Sequence, residues 1–167
     1  MLRGFSLFLF LLLAVTATVR PDEKGEFFVG TTAQTAFYSV DAAAFGGGAV
    51  FGYSFDIGAI GVTLDYLADT GGLTTYAPGL FVRFYLPLAF IDAADRFRSG
   101  PFLQFGLGPT FHTRDPRIPP DAVTGTVAAG LSAGWRVLLG RRWYIEPALR
   151  GGTPFLVGAG VTGGLRL

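Results

Sequence analysis

The sequence has 167 residues; 50% are hydrophobic, only 15% are charged, and the formal net charge at pH 7 is +1. This balance does not favour a nucleic-acid-binding surface or a polybasic membrane patch. Cysteine is absent, which excludes disulfides and thiolate metal sites, and we expect no cofactor and no metal. Because a soluble domain usually has about 25% charged residues, something apolar must cover part of this surface.

Residues 1–17 have the pattern of a cleaved signal peptide. Arg3 supplies a positive start, an apolar segment too short to cross a bilayer as a helix follows, and Val-Thr-Ala precedes the expected cleavage between Ala17 and Thr18. The alternative is an uncleaved anchor helix. The remaining residues, 18–167, are enough for one domain.

The mature chain has no apolar stretch of about 20 residues, which a membrane-spanning helix requires. A closed barrel is the other structure that satisfies every backbone group in lipid, and its strands alternate between apolar and polar residues over about ten positions. Eight segments have this pattern: 26–38, 45–56, 58–68, 75–87, 101–113, 123–139, 143–151 and 155–167. We therefore predict an all-β, closed, antiparallel up-and-down transmembrane barrel of about eight strands.

The first two segments differ in clarity. In the first, Phe27 and Phe37 share one face, but Phe28 lies on the same face as Gln34. In the second, large residues from Phe45 to Phe55 share one face, and glycines share the other. An eight-stranded barrel is only just wide enough for side chains, so glycines on the inner face would make room for larger neighbours.

The later segments place charged or polar residues on the face opposite the apolar one. This polar set consists of Asp65, Arg83, Gln104, Arg136, Glu146, Arg150 and Arg166. Isolated charges inside a barrel are costly, so we expect these side chains to pair and close the lumen. The alternative is a narrow channel for small anionic or hydrophobic solutes, because four arginines face two carboxylates.

The turns give an independent check, since residues paired across an antiparallel hairpin lie on one face. The turn at residues 140–142 predicts that Leu139 pairs with Trp143, and Arg136 with Glu146. A two-residue turn at residues 56–57 predicts that Phe55 pairs with Gly58.

Three prolines fall inside predicted strands, where the ladder needs an N–H that proline lacks. They are Pro78, Pro109 and Pro147. We expect β-bulges or strand ends at these positions.

The segments PFLQFGLG (101–108) and WYIEPALR (143–150), with the alternating last strand, resemble the small outer-membrane barrels of the OmpA, OmpX and OmpW kind. The resemblance covers Phe27 to Leu167. It implies that odd-numbered strands run outward and that short outer loops lie near residues 39–44, 69–74, 114–121 and 152–154. It also implies a monomer in the outer membrane of a diderm bacterium, in contact with lipopolysaccharide-type lipids.

The resemblance further implies recognition of the last strand by the barrel assembly machinery. The family commonly ends in an aromatic residue, whereas this chain ends in Leu167. Aromatic residues should also form girdles at both membrane interfaces. We expect an inner girdle of Tyr53, Phe55, Phe84, Trp135 and Trp143, and an outer girdle of Phe37, Phe45, Tyr66, Phe111 and Phe155. The alternative is that these are ordinary core residues.

Some barrels of this type modify lipid A, which requires a nucleophile beside a base. The single histidine, His112, has no serine next to it in its strand, and Ser132 lies on the following strand. We therefore expect no catalytic site and predict a structural or surface-interaction role. A soluble barrel of lipocalin type is the third alternative, but glycines such as Gly46 and Gly48 would then face water.

Overall fold

The computed structural model describes residues 25–39, 42–55, 57–86, 99–113 and 124–167. The predicted signal peptide, its cleavage between Ala17 and Thr18, and the predicted outer loop at 114–121 lie outside the described residues. No helix within the described ranges is long and apolar enough to cross a membrane.

The described residues form eight strands, and each pairs antiparallel with the next. The strands are β1 (Glu26–Ser39), β2 (Ala42–Phe55), β3 (Gly58–Asp69), β4 (Thr74–Tyr85), β5 (Gly100–Thr113), β6 (Thr124–Leu139), β7 (Trp143–Thr153) and β8 (Val157–Arg166). β8 also pairs with β1, which closes the sheet into a barrel. The predicted fold class is therefore confirmed.

The register agrees with both hairpins predicted from the turns. Leu139 pairs with Trp143 across the β6–β7 turn, and Phe55 pairs with Gly58 across the β2–β3 turn. The closing ladder runs from Phe28 opposite Arg166 to Phe37 opposite Val157. We call the end of the barrel that holds Glu26 and Arg166 the inner end, and the opposite end the outer end.

The expectation of bulges or strand ends at the three prolines is wrong. Pro78 lies within β4, Pro109 within β5 and Pro147 within β7. The β4–β5 register is the same on both sides of the first two prolines. In that register Pro78 and Pro109 lie opposite each other. Because neither has a backbone N–H, the missing hydrogen bonds fall at the same place in the ladder. The pairing is interrupted there without a shift of either strand.

The two faces of the sheet have opposite chemistry. Large apolar side chains are exposed on the outward face, among them Phe45, Leu64, Val127, Leu149 and Val161. Charged residues of the described strands share the inward positions, because side chains alternate along each strand. An outward apolar band around a charged interior is typical of a transmembrane barrel.

The buried apolar residues inside the barrel form two separate clusters. The larger lies towards the inner end and consists of Phe28, Val50, Ala59, Phe81, Tyr85, Phe102 and Tyr144. The smaller lies at the outer end and consists of Ala36, Ala44, Leu67 and Phe155. The two apolar clusters therefore lie at different levels of the lumen.

Gly108 is predicted to be intolerant of any side chain. A Cβ atom there would lie 2.0 Å from the carbonyl oxygen of Pro78 and 2.7 Å from the Cα of Gly79, and both of those atoms belong to the backbone. We expect Gly108→Ala to lower the free energy of unfolding by about 1–3 kcal/mol, as overpacking does. Urea unfolding of the barrel in lipid vesicles measures this change.

The matched control is Gly163→Ala, because a Cβ at Gly163 would meet no atom within 4 Å. This control should change the free energy of unfolding by less than about 0.5 kcal/mol. Equal effects of the two substitutions would contradict the tight strand contact at Gly108.

Candidate functional site in the barrel lumen

The centre of the lumen is a buried ion-pair triad. Arg83 donates from Nη1 to Oε1 of Glu146 at 2.6 Å, and Arg136 donates from Nε to the same oxygen at 2.5 Å. The three side chains are no more than 4% exposed. Two guanidinium groups share one carboxylate, so the triad has a net charge of +1.

The strands bring the triad together from different parts of the wall. Arg136 and Glu146 come from the β6–β7 hairpin, whose register places them face to face. Arg83 comes from β4, which is not a neighbour of β7, and therefore reaches across the lumen. Arg83 also donates from Nε and Nη2 to Oε1 of Gln104, at 3.0 and 2.8 Å.

Aromatic rings surround both arginines of the triad. The Arg83 guanidinium carbon lies 4.1 Å from the ring centre of Phe102, and that of Arg136 lies 4.7 Å from Tyr144. Phe28, Phe81 and Tyr85 complete the set at 4.8 to 5.7 Å. A contact of this kind stabilises a desolvated cation by about 2 kcal/mol. We call the triad with these five aromatic residues the inner plug.

The sequence places Phe28 and Tyr85 on the polar face, but the packing of five aromatic rings around the two arginines was not predicted. Four of these rings lie two residues from a polar lumen residue, and therefore on the same face of the strand. Phe81 and Tyr85 lie two residues before and after Arg83, Phe102 lies two before Gln104, and Tyr144 lies two before Glu146. The alternation of side chains along each strand could have placed these rings in the lumen. It was not used, because large residues were taken to define the apolar face.

A second polar group lies nearer the outer end. Nη1 of Arg150 on β7 donates to Asp65 Oδ2 on β3 at 3.2 Å and also to Oε1 of Gln34 on β1. The Arg150 and Asp65 side chains are 28% and 14% exposed, so they are less buried than the triad. Gln34 had been placed on the polar face, but its partnership with Arg150 was not predicted.

The last predicted lumen residue, Arg166, lies apart from the other six. It forms an ion pair with Glu26 at the inner end, where the Glu26 side chain is 42% exposed. Glu26 was missing from the predicted set. With Glu26 and with Asp69, which has an inward position at the outer end of β3, four arginines and four carboxylates share the inward strand positions, so the predicted excess of positive charge disappears, although the triad itself keeps a net charge of +1.

Nine of the ten predicted girdle residues lie on the outward face. Trp135 and Trp143 are exposed towards the inner end, and Phe37, Phe45, Tyr66 and Phe111 towards the outer end. Tyr53, Phe55 and Phe84 also face outward but pack together with Ile60 and Val82. Two further aromatic residues on the outward face, Phe27 and Tyr76, contact Tyr53 and Tyr66, with ring centres 4.9 and 5.2 Å apart.

Phe155 departs from the predicted girdle. β8 begins at Val157, two residues after the predicted start, so Phe155 lies before the strand and does not follow its alternation. Its ring packs inside the outer end against Ala36, Ala44 and Leu67. Phe155 is therefore only 4% exposed and does not face outward as the predicted girdle requires.

His112 lies at the outer end of β5 with threonine partners. Its Nδ1 is 3.0 Å from the hydroxyl of Thr75, and its Nε2 is 3.5 Å from that of Thr126. Ser132 pairs with Gln104, eight residues along β5 from His112, which is about 26 Å at the usual rise of a strand. The arrangement does not form a Ser–His pair, and the described residues include no cluster of three metal-ligating side chains.

Comparison with solved structures places this architecture among known folds. The N-terminal barrel domain of Pseudomonas aeruginosa OprF matches with a TM-score of 0.58 and 15% identity, over 87% of this chain and 100% of that domain. Neisserial surface protein A matches with a TM-score of 0.61 and 12% identity, over 86% of this chain and 96% of that chain. Pseudomonas aeruginosa OprG matches with a TM-score of 0.58 and 11% identity, over 87% and 97%.

No protein-family model and no curated protein matches the sequence. The structural matches nevertheless define the class: the chain has the fold of the small eight-stranded outer-membrane β-barrels, as the resemblance predicted. At 11–15% identity the likeness concerns the fold alone.

Glu146 is predicted to be the most sensitive charge in the barrel. Glu146→Gln preserves the shape of the side chain but leaves Arg83 and Arg136 buried without a counter-charge, a change that costs about 3–5 kcal/mol. Unfolding in lipid vesicles, followed by tryptophan fluorescence, measures the loss.

Glu26→Gln is the control for this prediction. It removes a carboxylate that is also paired with arginine, but at the exposed inner end, where such a pair contributes less than about 1 kcal/mol. A loss at Glu146 no larger than the loss at Glu26 would show that the triad does not stabilise the barrel.

Proposed function

We propose that this protein is an integral outer-membrane barrel of a diderm bacterium, with a structural or surface-interaction role and a closed lumen. The inner plug is the observation that carries the proposal, because Arg83, Arg136 and Glu146 connect opposite walls of the barrel. Arg136 Nη1 also lies 3.4 Å from the hydroxyl of Ser54 on β2, which extends the network to a further strand. No catalytic activity and no cofactor form part of this proposal.

The outward face supports the membrane location. It exposes large apolar residues along the strands, while the charged strand residues point inward. Such a surface is compatible with lipid and not with water, because apolar residues that continue around the whole outward face are rare on soluble monomers. The proposed partners are therefore outer-membrane lipids, including lipopolysaccharide-type lipids, and the barrel assembly machinery acting on β8. The proposed state is a monomer.

A narrow channel for small anionic solutes is the second candidate. One observation favours it: the buried triad has a net charge of +1. The dense packing of aromatic rings around that charge favours the closed lumen instead.

The membrane proposal predicts the fraction in which the protein is found. After expression with its leader in a diderm host, we expect the protein in the outer-membrane fraction, released only by detergent, because the outward face would otherwise contact water. Immunoblots of the soluble periplasmic and membrane fractions measure this. Recovery in the periplasmic fraction without detergent would contradict the proposal.

The closed lumen predicts the conductance of the refolded protein in planar bilayers. The parent should show no current steps, whereas Arg136→Ala, which shortens a side chain that crosses the lumen, should show small steps. Current steps of equal size in both proteins would favour the channel. Silence of both would contradict the assignment of the closure to Arg136. Glu26→Ala at the inner end is the control and should remain silent.

A further inference from the structure

The turn between β6 and β7 has two adjacent arginines at the inner end of the barrel. Arg141 and Arg142 are both exposed. Neither side chain forms an ion pair with a residue of the described ranges. Glu26, the exposed carboxylate at this end, is already paired with Arg166. The turn therefore presents two positive charges without a counter-charge in the described part of the chain.

The backbone of this turn is held in place. Gly140 has a φ of +75°, a conformation that favours glycine and that reverses the chain here. The carbonyl oxygen of Arg142 accepts a hydrogen bond from the backbone N–H of Arg166 at 2.8 Å, which joins the turn to β8. A ligand of the two arginines would thus bind an ordered turn, and less conformational entropy would be lost on binding.

Both tryptophans of the chain lie on the same hairpin as the arginines. Trp143 follows Arg142 directly, and Trp135 lies further along β6. Their side chains are 60% and 39% exposed on the outward face. Tryptophan is enriched where the hydrocarbon of a bilayer meets the headgroups. The arginines lie one or two residues beyond Trp143, about 3–7 Å at the usual rise of a strand, which corresponds to the level of the lipid phosphates.

The chemistry of the turn suits a phosphate group. A guanidinium donates two parallel hydrogen bonds to phosphate oxygens, and it does so more specifically than an ammonium group. A zwitterionic lipid brings its own cation beside the phosphate, and this cation is repelled by Arg141 and Arg142. Two uncompensated positive charges therefore favour a lipid whose headgroup has a net negative charge.

The apolar side chains beside the turn favour a lipid over a soluble acidic protein. Leu139 pairs with Trp143 across the turn, and both are exposed on the outward face. A phospholipid covers these side chains with its acyl chains while its phosphate meets the arginines. A soluble partner would contact the arginines and leave the apolar side chains uncovered.

We infer that the β6–β7 turn, through Arg141, Arg142 and the neighbouring Trp143, is a binding site for the headgroup of an anionic phospholipid. The inference rests on the proposed membrane location of the barrel. It does not depend on whether the lumen conducts, because the site lies on the outside of the barrel at its inner end.

Quenching of tryptophan fluorescence in lipid vesicles tests the site, because both tryptophans report from this hairpin. The protein is refolded in phosphatidylcholine vesicles that contain increasing fractions of phosphatidylglycerol with brominated acyl chains. Phosphatidylcholine with the same brominated chains is the matched zwitterionic probe. We expect the anionic lipid to associate with the hairpin about fivefold more strongly, the factor that corresponds to ~1 kcal/mol for one basic residue at an anionic surface.

The two probes separate this inference from the proposed function. Equal quenching by both lipids would overturn the headgroup site and leave the membrane location intact. Absence of quenching by either lipid would overturn the site together with the membrane location.

Removal of the two charges should remove the preference. In the double variant Arg141→Gln, Arg142→Gln, we expect equal quenching by the two lipids, because the tryptophans and the apolar face remain. The matched control, Arg114→Gln with Arg117→Gln, removes the same charge from the connection between β5 and β6, outside the described residues. The control should keep the preference. Loss of the preference in both variants, or its retention in both, would overturn the assignment to the turn.

Trp135→Phe provides a more local measurement, because Trp143 beside Arg142 is then the only tryptophan. We expect a preference for the anionic lipid at least as strong as in the parent, and its loss would place the lipid away from the turn and overturn the site. If the double variant does not insert, Arg141→Gln in this background should lower the preference. An unchanged preference would contradict the role of Arg141.

Discussion

Closure of β8 onto β1 is the constraint on which the rest of this structure depends. The closing ladder pairs ten residues of β1 with ten of β8, from Phe28 opposite Arg166 to Phe37 opposite Val157. Once the sheet is closed, each strand residue faces either outward or into a lumen only just wide enough for side chains. Charged side chains turned inward must therefore find partners on other strands, because little water is available to solvate them.

The same narrow lumen behaves differently along its length because the size of its inward side chains changes. Towards the inner end, arginines and aromatic rings fill the section and bury Glu146 almost completely. Further outward, Gly106, Gly130 and Gly160 line an open space instead. The proposed closure of the lumen and the presence of a chamber are thus compatible, because the closure would depend on the triad and the chamber depends on glycines, which have no side chain.

The lumen has features that the fold alone does not require. The solved structures share the fold at 11–15% identity, so any specific property of this chain depends on its own side chains. Two features stand out among the described residues: one carboxylate shared by two arginines, and a buried amide whose nitrogen has no partner. Both are costly in isolation, and the shared carboxylate is expected to fix the packing of the two arginines.

The sequence by itself determined the alternation, the eight strands and the two hairpin registers, because these depend on residues close along the chain. It therefore predicted the neighbours Arg136 and Glu146. It did not predict that Arg83 joins them from β4, or that Gln34 meets Arg150, since those contacts cross the lumen between strands that do not pair. Phe155 and the prolines were predicted wrongly for a related reason. The inward position of Phe155 depends on packing against β1, β2 and β3, and the position of Pro78 opposite Pro109 depends on the register of β4 against β5, whose paired residues are far apart along the chain.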